Sequence, residues 1–350
     1  MTYEDQIKEI EDEIAKTQYN KATEKHIGKL KAKLALLRAQ SAKGGGKKGA
    51  GYSVKKTGDA TVLLVGLPSV GKSTLLNKLT NAESKVGDYE FTTLDVVPGV
   101  MEYNGAKIQM LDIPGIVEGA ATGKGRGKEI LSVVRSADLI LIMVDVNSLE
   151  IAALIENELY EAGFRLNQSP PDVKITRKDT GGITVMGNRG LGRDAITSVL
   201  KEFGIYNADV SIREKLTLDR FIDALMKNRV YVPALVLVNK ADIGKAKSSK
   251  DGYMYISALK GTGVERLKEL VWEKLGLIRI YMKKPGKEPD RSEPLILKKP
   301  CTISDVIRRL HKNMRIRFAR VWGPSAKFPG QRVGPAHGLG DGDAVELHID

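Results

Sequence analysis

The 350-residue chain is longer than one average domain, and its 42% hydrophobic and 28% charged residues are the balance of a globular protein with a buried core, not of a disordered or fibrous chain. Its 56 Lys and Arg against 43 Asp and Glu leave a formal charge of +13, which suits a polyanionic partner such as RNA as readily as a well-solvated surface. A lone cysteine, Cys301, excludes an internal disulfide or cysteine metal site, no apolar run approaches the roughly 20 residues that span a bilayer, and Met1–Asp12 is too charged for a secretory leader; a cytoplasmic protein without membrane contact is expected.

In chain order, Ile7, Ile10 and Ile14 recur at helical spacing behind a Thr2-x-x-Asp5 capping signature. Ile27, Leu30, Leu34 and Leu37 share one face of a second helix. Residues 1–56 therefore read as an N-terminal helical hairpin ending in the glycine- and lysine-rich linker KGGGKKGAG. Between Lys16 and Lys56 the only acid is Glu24, and this basic run is read as an RNA contact, the alternative being lysines that only solvate the hairpin.

The stretches ATVLLVG, IQMLDIPG, ADLILIMVD, PALVLVNKAD and YMYISAL are nearly continuous apolar runs alternating with helical patterns. They predict a doubly wound α/β domain with a parallel sheet covered on both faces, over residues 57–166 and 229–276. About 85 residues separate Val146 from Pro233, where a crossover unit needs about 30. An α+β insert is therefore placed at 167–228. In it, KITRKDTGGITVMG reads as a β-hairpin, NADVSIRE as a strand, and LGRDAITSVLKEFGI and LTLDRFIDALMKN as helices. Residues 277–350 read as a compact β-rich module, with the helix TISDVIRRLH and the strands LIRIYM, RFARVW and DAVELHI. Arg308, Arg309, Lys312, Arg315, Arg317 and Arg320 cluster in and after that helix, a second candidate RNA contact.

The chemistry is carried by GLPSVGKS, Gly66–Ser73, which matches the phosphate-loop pattern G-x-x-x-x-G-K-S between a buried strand and a helix. Glycines let successive N–H groups face phosphate oxygens, Lys72 neutralises the β- and γ-phosphates, and Ser73 offers a hydroxyl to Mg²⁺. Gly66, Pro68, Ser69, Val70, Gly71, Lys72, Ser73 and Thr74 make up this part of the nucleotide-binding set. A switch hydroxyl comes from Phe91-Thr92-Thr93; Thr93 is taken as the metal ligand, with Thr92 the open alternative. Asp112 holds Mg²⁺ through water, and the Gly115 N–H reaches the γ-phosphate. The catalytic set is Lys72, Thr93 and Gly115; the metal set is Ser73, Thr93 and Asp112. In NKAD, Asn239 and Lys240 lead to Asp242, whose carboxylate can accept from both N1–H and N2–H of guanine, a pair adenine lacks. Ser257-Ala258-Leu259 then offers a backbone N–H to guanine O6. All these elements end buried strands, as ligand sites of open α/β sheets do.

Together GLPSVGKST, GDYEFTTLDVVPGV, DIPGIVEGA, GRGKEILSVVRSADLILIMVD and NKAD resemble the developmentally regulated GTP-binding (DRG) family of Obg-related GTPases, with an archaeal cast. The resemblance covers nearly the whole chain. It implies an insert like domain 2 of ribosomal protein S5, a β-grasp-like TGS domain at the C-terminal end, and GTP hydrolysis to GDP linked to the ribosome or a structured RNA. A protein cofactor is also in keeping with it, and DNA is not expected. It further implies a GTPase with a hydrophobic residue, here Ile116, in place of the water-orienting glutamine. Glu118 is a weak substitute. Some such GTPases hold K⁺ with a phosphate-loop asparagine; Ser69 stands at that position, so K⁺ is an added candidate beside Mg²⁺. The competing reading is a GTP-gated RNA or ribosome assembly factor whose slow hydrolysis only resets it.

Overall fold

The computed structural model describes residues 2–43, 58–80, 97–113, 133–187, 190–243, 252–310 and 316–349. Its elements in chain order begin with α1 (Tyr3–Lys16), α2 (Glu24–Lys43), β1 (Ala60–Val65), α3 (Lys72–Leu79), β2 (Val97–Tyr103), β3 (Ala106–Asp112), β4 (Leu139–Asp145), α4 (Glu150–Glu161) and β5 (Phe164–Leu166). Next come β6 (Val173–Arg177), β7 (Ile183–Met186), α5 (Arg193–Glu202), β8 (Ala208–Ile212), α6 (Leu218–Leu225), β9 (Val230–Val232), β10 (Ala234–Asn239), β11 (Tyr253–Tyr255) and α7 (Val264–Leu275). The last are β12 (Leu277–Met282), β13 (Leu295–Lys298), α8 (Ile303–Leu310), β14 (Ile316–Trp322), β15 (Gln331–Val333) and β16 (Asp343–Ile349). The chain divides into two compact units. Among the described residues no helix is long and apolar enough to cross a membrane.

One unit joins the N-terminal helices to residues 158–231. Helix α1 starts in a capping box: the Thr2 hydroxyl accepts from the Asp5 N–H at 3.2 Å and the Asp5 carboxylate from the Thr2 N–H at 2.7 Å. Acidic α1 and basic α2 pair through Glu13 with His26 at 3.0 Å and Glu11 with Arg38 at 2.7 Å, over a strip of Ile10, Leu30 and Leu37. The hairpin thus answers part of its own charge. The other side of α2 is a finding that no motif announces. Ile27, expected to share a face with Leu30, Leu34 and Leu37, instead joins Ala32 and Ala35 in a core with Ala195, Ile196, Val199, Leu218 and Phe221 of α5 and α6, while the three leucines pack toward α1. Gly28 lies so close that an added Cβ would sit 3.3 Å from both Leu218 and Val199. Small residues let the helices approach, and polar contacts fix the register: Glu24 accepts from the Gly192 N–H at 2.9 Å, and Lys31 donates to both Asp219 oxygens at 2.8 and 2.9 Å.

The insert corrects one expectation. β6 and β7 do not pair with each other as a hairpin; β8 lies between them in the order β6-β8-β7, antiparallel to β6 and parallel to β7. The glycine turn is present but serves as the mouth of this slot. Asn207, just before β8, accepts from the Gly182 N–H at 2.8 Å and donates to the Asp179 carbonyl at 3.0 Å, so the turn closes on the incoming strand. Where the chain leaves the insert, β5 pairs with β9. There the buried Arg165 grips both carboxylate oxygens of Asp223, which also accepts from Arg229 at 2.7 Å.

The other unit holds a six-stranded sheet in the order β11-β10-β4-β1-β3-β2. All neighbours are parallel except the antiparallel edge pair β2–β3. Every residue of β1 and β10 is buried, as strands covered on both faces must be. The edge strand β2 escapes a sequence reading because its Pro98 and Gly99 argue against a strand interior. A second sheet, β13-β12-β16-β14-β15, closes over α8, with Ile278, Ile280, Ile303, Val306, Val321 and Val345 in its core. It meets the first sheet at the β2–β3 turn, where Gly105 leaves no room for a Cβ beside Pro294.

Candidate nucleotide site

The loop between β1 and α3 is shaped by positions where only particular residues fit. A Cβ at Gly66 would sit 2.3 Å from the Met143 carbonyl oxygen; Gly71 has φ +98°, and a Cβ there would meet Asn239 Nδ2 at 2.4 Å. Ser69 also adopts a left-handed φ of 62°. Helix α3 follows directly, so its N-terminal N–H groups and positive dipole end face the loop.

Lys72 is buried inside this loop and donates to the Gly66 and Leu67 carbonyls at 3.1 and 3.0 Å. Its ammonium lies 4.0 Å from Asp112 Oδ1. The Ser73 hydroxyl donates to Asp112 Oδ2 at 3.0 Å. Asp112 Oδ1 is buried and has no hydrogen-bond partner among the described residues. A hydroxyl and a carboxylate converging at the end of β3, with one oxygen that accepts no hydrogen bond among the described residues, are the hard-oxygen donors that Mg²⁺ takes, so the residues fit that ion.

Asn239 ties three loops together. Its Nδ2 donates to the Val70 carbonyl at 2.8 Å, its Oδ1 accepts from the Ala258 N–H at 2.9 Å, and its carbonyl accepts from the Val146 N–H at 3.1 Å. Lys240, at φ 61°, pairs with Asp145 at 2.7 Å beside a cleft of about 210 Å³ whose lining includes Pro68, Ser69, Asp145 and Ile151. Burial pushes the Asp145 carboxyl upward, but the bonds from Lys240 and Asn147 outweigh it and hold it below the usual carboxylate range. Asp242 is likewise held low, first by the Ser257 hydroxyl and also by Lys260, whose ammonium lies 3.4 Å away. An ionised acceptor is what two guanine N–H donors require.

Residues 61–178 match the family described as "50S ribosome-binding GTPase", 180–277 its C-terminal region, and 278–349 the TGS domain. An uncharacterized GTP-binding protein of Methanocaldococcus jannaschii is 55% identical over 100% of this chain and 93% of its own length. Developmentally-regulated GTP-binding protein 2 of Homo sapiens is 43% identical over 98% of each. The chain belongs to the DRG family. It is accordingly a P-loop GTP-binding protein with a C-terminal TGS domain. Among solved structures, the FeoB G-domain of Methanococcus jannaschii aligns with 62% of this chain and 97% of its own at 20% identity and TM-score 0.34.

In this DRG-family chain the residues singled out from sequence at 66–74, 112, 239–242 and 257–259 gather at the carboxyl ends of β1, β3 and β10 and beyond β11. Leu259 is exposed there, while Ser257 and Ala258 are buried. Thr92, Thr93, Gly115, Ile116 and Glu118 lie outside the described residues. Sequence reasoning missed Asp145 and Lys260. An acid closing the strand ADLILIMVD was the available signal for the first; nothing local marks the second.

Proposed function

We propose that this protein hydrolyses GTP to GDP and phosphate as a switch acting on a ribosome- or RNA-associated partner in translation. The Lys72–Ser73–Asp112 arrangement carries the catalytic half of this reading: an ammonium, a hydroxyl and a half-free carboxylate converge where a triphosphate's terminal groups and Mg²⁺ would be gripped. Bound Mg²⁺ would supply positive charge to the β- and γ-phosphate oxygens. Lys72 would balance charge developing in the transition state, with the Gly115 N–H and the Thr93 hydroxyl completing the donors. Ile116 brings no group to aim water, so intrinsic turnover is slow, and K⁺ near Ser69 or a group delivered by a partner raises it. The ribosomal half rests on the matched family's description and on the net positive charge.

The test is steady-state GTP hydrolysis with and without ribosomes, together with ribosome pelleting of the GTP- and GDP-loaded protein. Ribosome-stimulated turnover and nucleotide-dependent pelleting are expected. Pelleting that depends on GTP while turnover stays slow and unstimulated would favour the assembly-factor reading, and absence of pelleting in either state would overturn the ribosomal partner.

A further inference from the structure

The turn that carries Asp242 is anchored from both sides of its strand, β10, which lies between β11 and β4. On the β11 side the Ala241 N–H donates to the Ile256 carbonyl at 3.1 Å, and the Ser257 hydroxyl bonds to the Asp242 carboxylate. On the β4 side the anchor is Asp145. Parallel register sets Asp145 beside Asn239, the last residue of β10. From there its carboxylate reaches one residue further, to the Lys240 ammonium 2.7 Å away.

Lys240 needs that hold. Its φ of 61° is left-handed, a conformation unfavourable for a residue with a Cβ. The turn closes with the Ile243 N–H on the Lys240 carbonyl at 3.0 Å, and so sets where Asp242 stands two residues on. The two Asp145 oxygens have separate roles. Oδ1 accepts from the backbone and side-chain N–H groups of Asn147 at 2.9 and 3.0 Å and shapes its own loop; Oδ2 meets Lys240. The Asp145 side chain is 17% exposed and that of Lys240 39%, so the pair is screened less than one on the open surface. A bare carboxylate lining the same cleft as Pro68 and Ser69 would repel a triphosphate. Paired with Lys240, Asp145 is close to neutral toward the phosphates, and its worth lies in position.

We propose that Asp145 is a positioning residue for guanine recognition: by holding the Lys240 ammonium it keeps the left-handed turn, and with it Asp242, set for the base before the nucleotide arrives. A lysine stem loses rotamer freedom when it is fixed; here that cost falls on folding, not on binding. The proposal rests on the base-reading role given to Asp242 and adds the residue that supports it from the neighbouring strand.

The test uses the full-length protein and Asp145→Asn, whose amide oxygen can go on accepting from Asn147 while its NH₂ faces the ammonium with no acceptor. In competition against mant-GDP, the ratio of GTP to ITP affinity should fall about threefold, because hypoxanthine lacks the 2-amino donor that only a well-placed Asp242 rewards. Mant-GDP should leave about fivefold faster. An off-rate is read only on molecules that bind, so a loss of folded protein alone would not move it. Lys240→Met removes the charge and keeps the stem; if Asp145 acts through Lys240, adding Asp145→Asn to that variant should change either readout by less than about 1.5-fold. Parent-like values in Asp145→Asn, or full effects on top of Lys240→Met, would overturn the proposal. So would Asn147→Ala reproducing the whole change, which would assign Asp145 to its own loop. Asp242→Asn separates the two levels. If it shifts the GTP to ITP ratio while Asp145→Asn does not, only the positioning role is refuted; if it leaves the ratio unchanged, the base-reading role fails and this proposal with it.

Discussion

Gly71 and Asn239 are fitted to each other across 168 residues of chain: the amide nitrogen of Asn239 occupies the space a Cβ on Gly71 would need, 2.4 Å away, and from there it holds the Val70 carbonyl. Asn239→Ala should leave the Val70 carbonyl and the Ala258 N–H without their partner, at about 1–3 kcal/mol for each group that stays buried. Gly71→Ala should act on the same contact from the other side, with added backbone strain. Both are expected to weaken GTP binding and lower the thermal midpoint, as titration with a fluorescent GTP analogue and calorimetry would show. A nucleotide affinity equal to that of the parent would remove Asn239 from the loop's support.

Lys72→Ala should abolish tight GTP binding. The ammonium is buried and already directed at the loop carbonyls, so its loss removes a charge-assisted contact worth roughly 1.5–3 kcal/mol or more. Equilibrium dialysis with GTP measures this directly.

For base choice, Asp242→Asn should weaken GTP and improve the relative binding of xanthosine triphosphate. The amide offers one acceptor where guanine has two donors, and its NH₂ can donate to the extra xanthine carbonyl. A competition assay that still prefers guanine would contradict the role given to Asp242.

Acid should loosen the C-terminal sheet through Asp341. The hydrogen bond from the Arg279 side chain, 2.7 Å, leads in holding this carboxyl below its ordinary value of 3.8, against an upward push from burial. A depressed carboxyl gives stability that is fully present above 3.8 and is lost as pH falls through its lower folded value. Asp341→Asn should therefore lower the melting temperature near about pH 5, and the difference from the parent should shrink toward about pH 2.5. A constant difference across that range would exclude the pair as the cause.

How far the sequence is readable follows the range of the interactions. GLPSVGKS is legible because strand, glycine loop and helix are neighbours, and the buried strands β1, β4 and β10 because burial on both faces writes itself as continuous apolar residues. The β6–β7 arrangement is not, since Asp179-Thr180-Gly181-Gly182 signals a turn truthfully but says nothing of Asn207 and β8 arriving between the strands. The contact of α2 with the insert is silent for another reason. Gly28, Ala32 and Ala35 act by being small, and smallness carries no hydrophobic period.

That contact redirects one expectation about the N-terminal segment. Removing residues 1–51 would strip Ile27 and its neighbours from the core of the insert, so the truncated protein should aggregate or melt early instead of losing RNA affinity alone. Ile27→Ala isolates the effect, with an expected loss of about 2–5 kcal/mol in chemical denaturation of the full chain. A loss under about 0.5 kcal/mol would show the interface to be weak.

On the water, steady-state hydrolysis should run faster in KCl than in NaCl at equal ionic strength, because the cation adds positive charge where negative charge develops in the transition state, and Ile116→Gln should raise it little. Equal rates in the two salts would leave a partner-supplied group as the better account.

The shared core of α2, α5 and α6 also imposes an order on synthesis. A nascent chain emerges from the N-terminal side, yet the face of α2 bearing Ile27, Ala32 and Ala35 finds its partners only when Leu218–Leu225 has been made. At about 5–20 residues per second, the delay between the two is roughly 10–40 s. For that interval an apolar helix face waits outside the exit tunnel while the first strands of the nucleotide sheet are added behind it. Slowing elongation between residues 44 and 225 should therefore lower the soluble yield of this chain more than slowing it after residue 225.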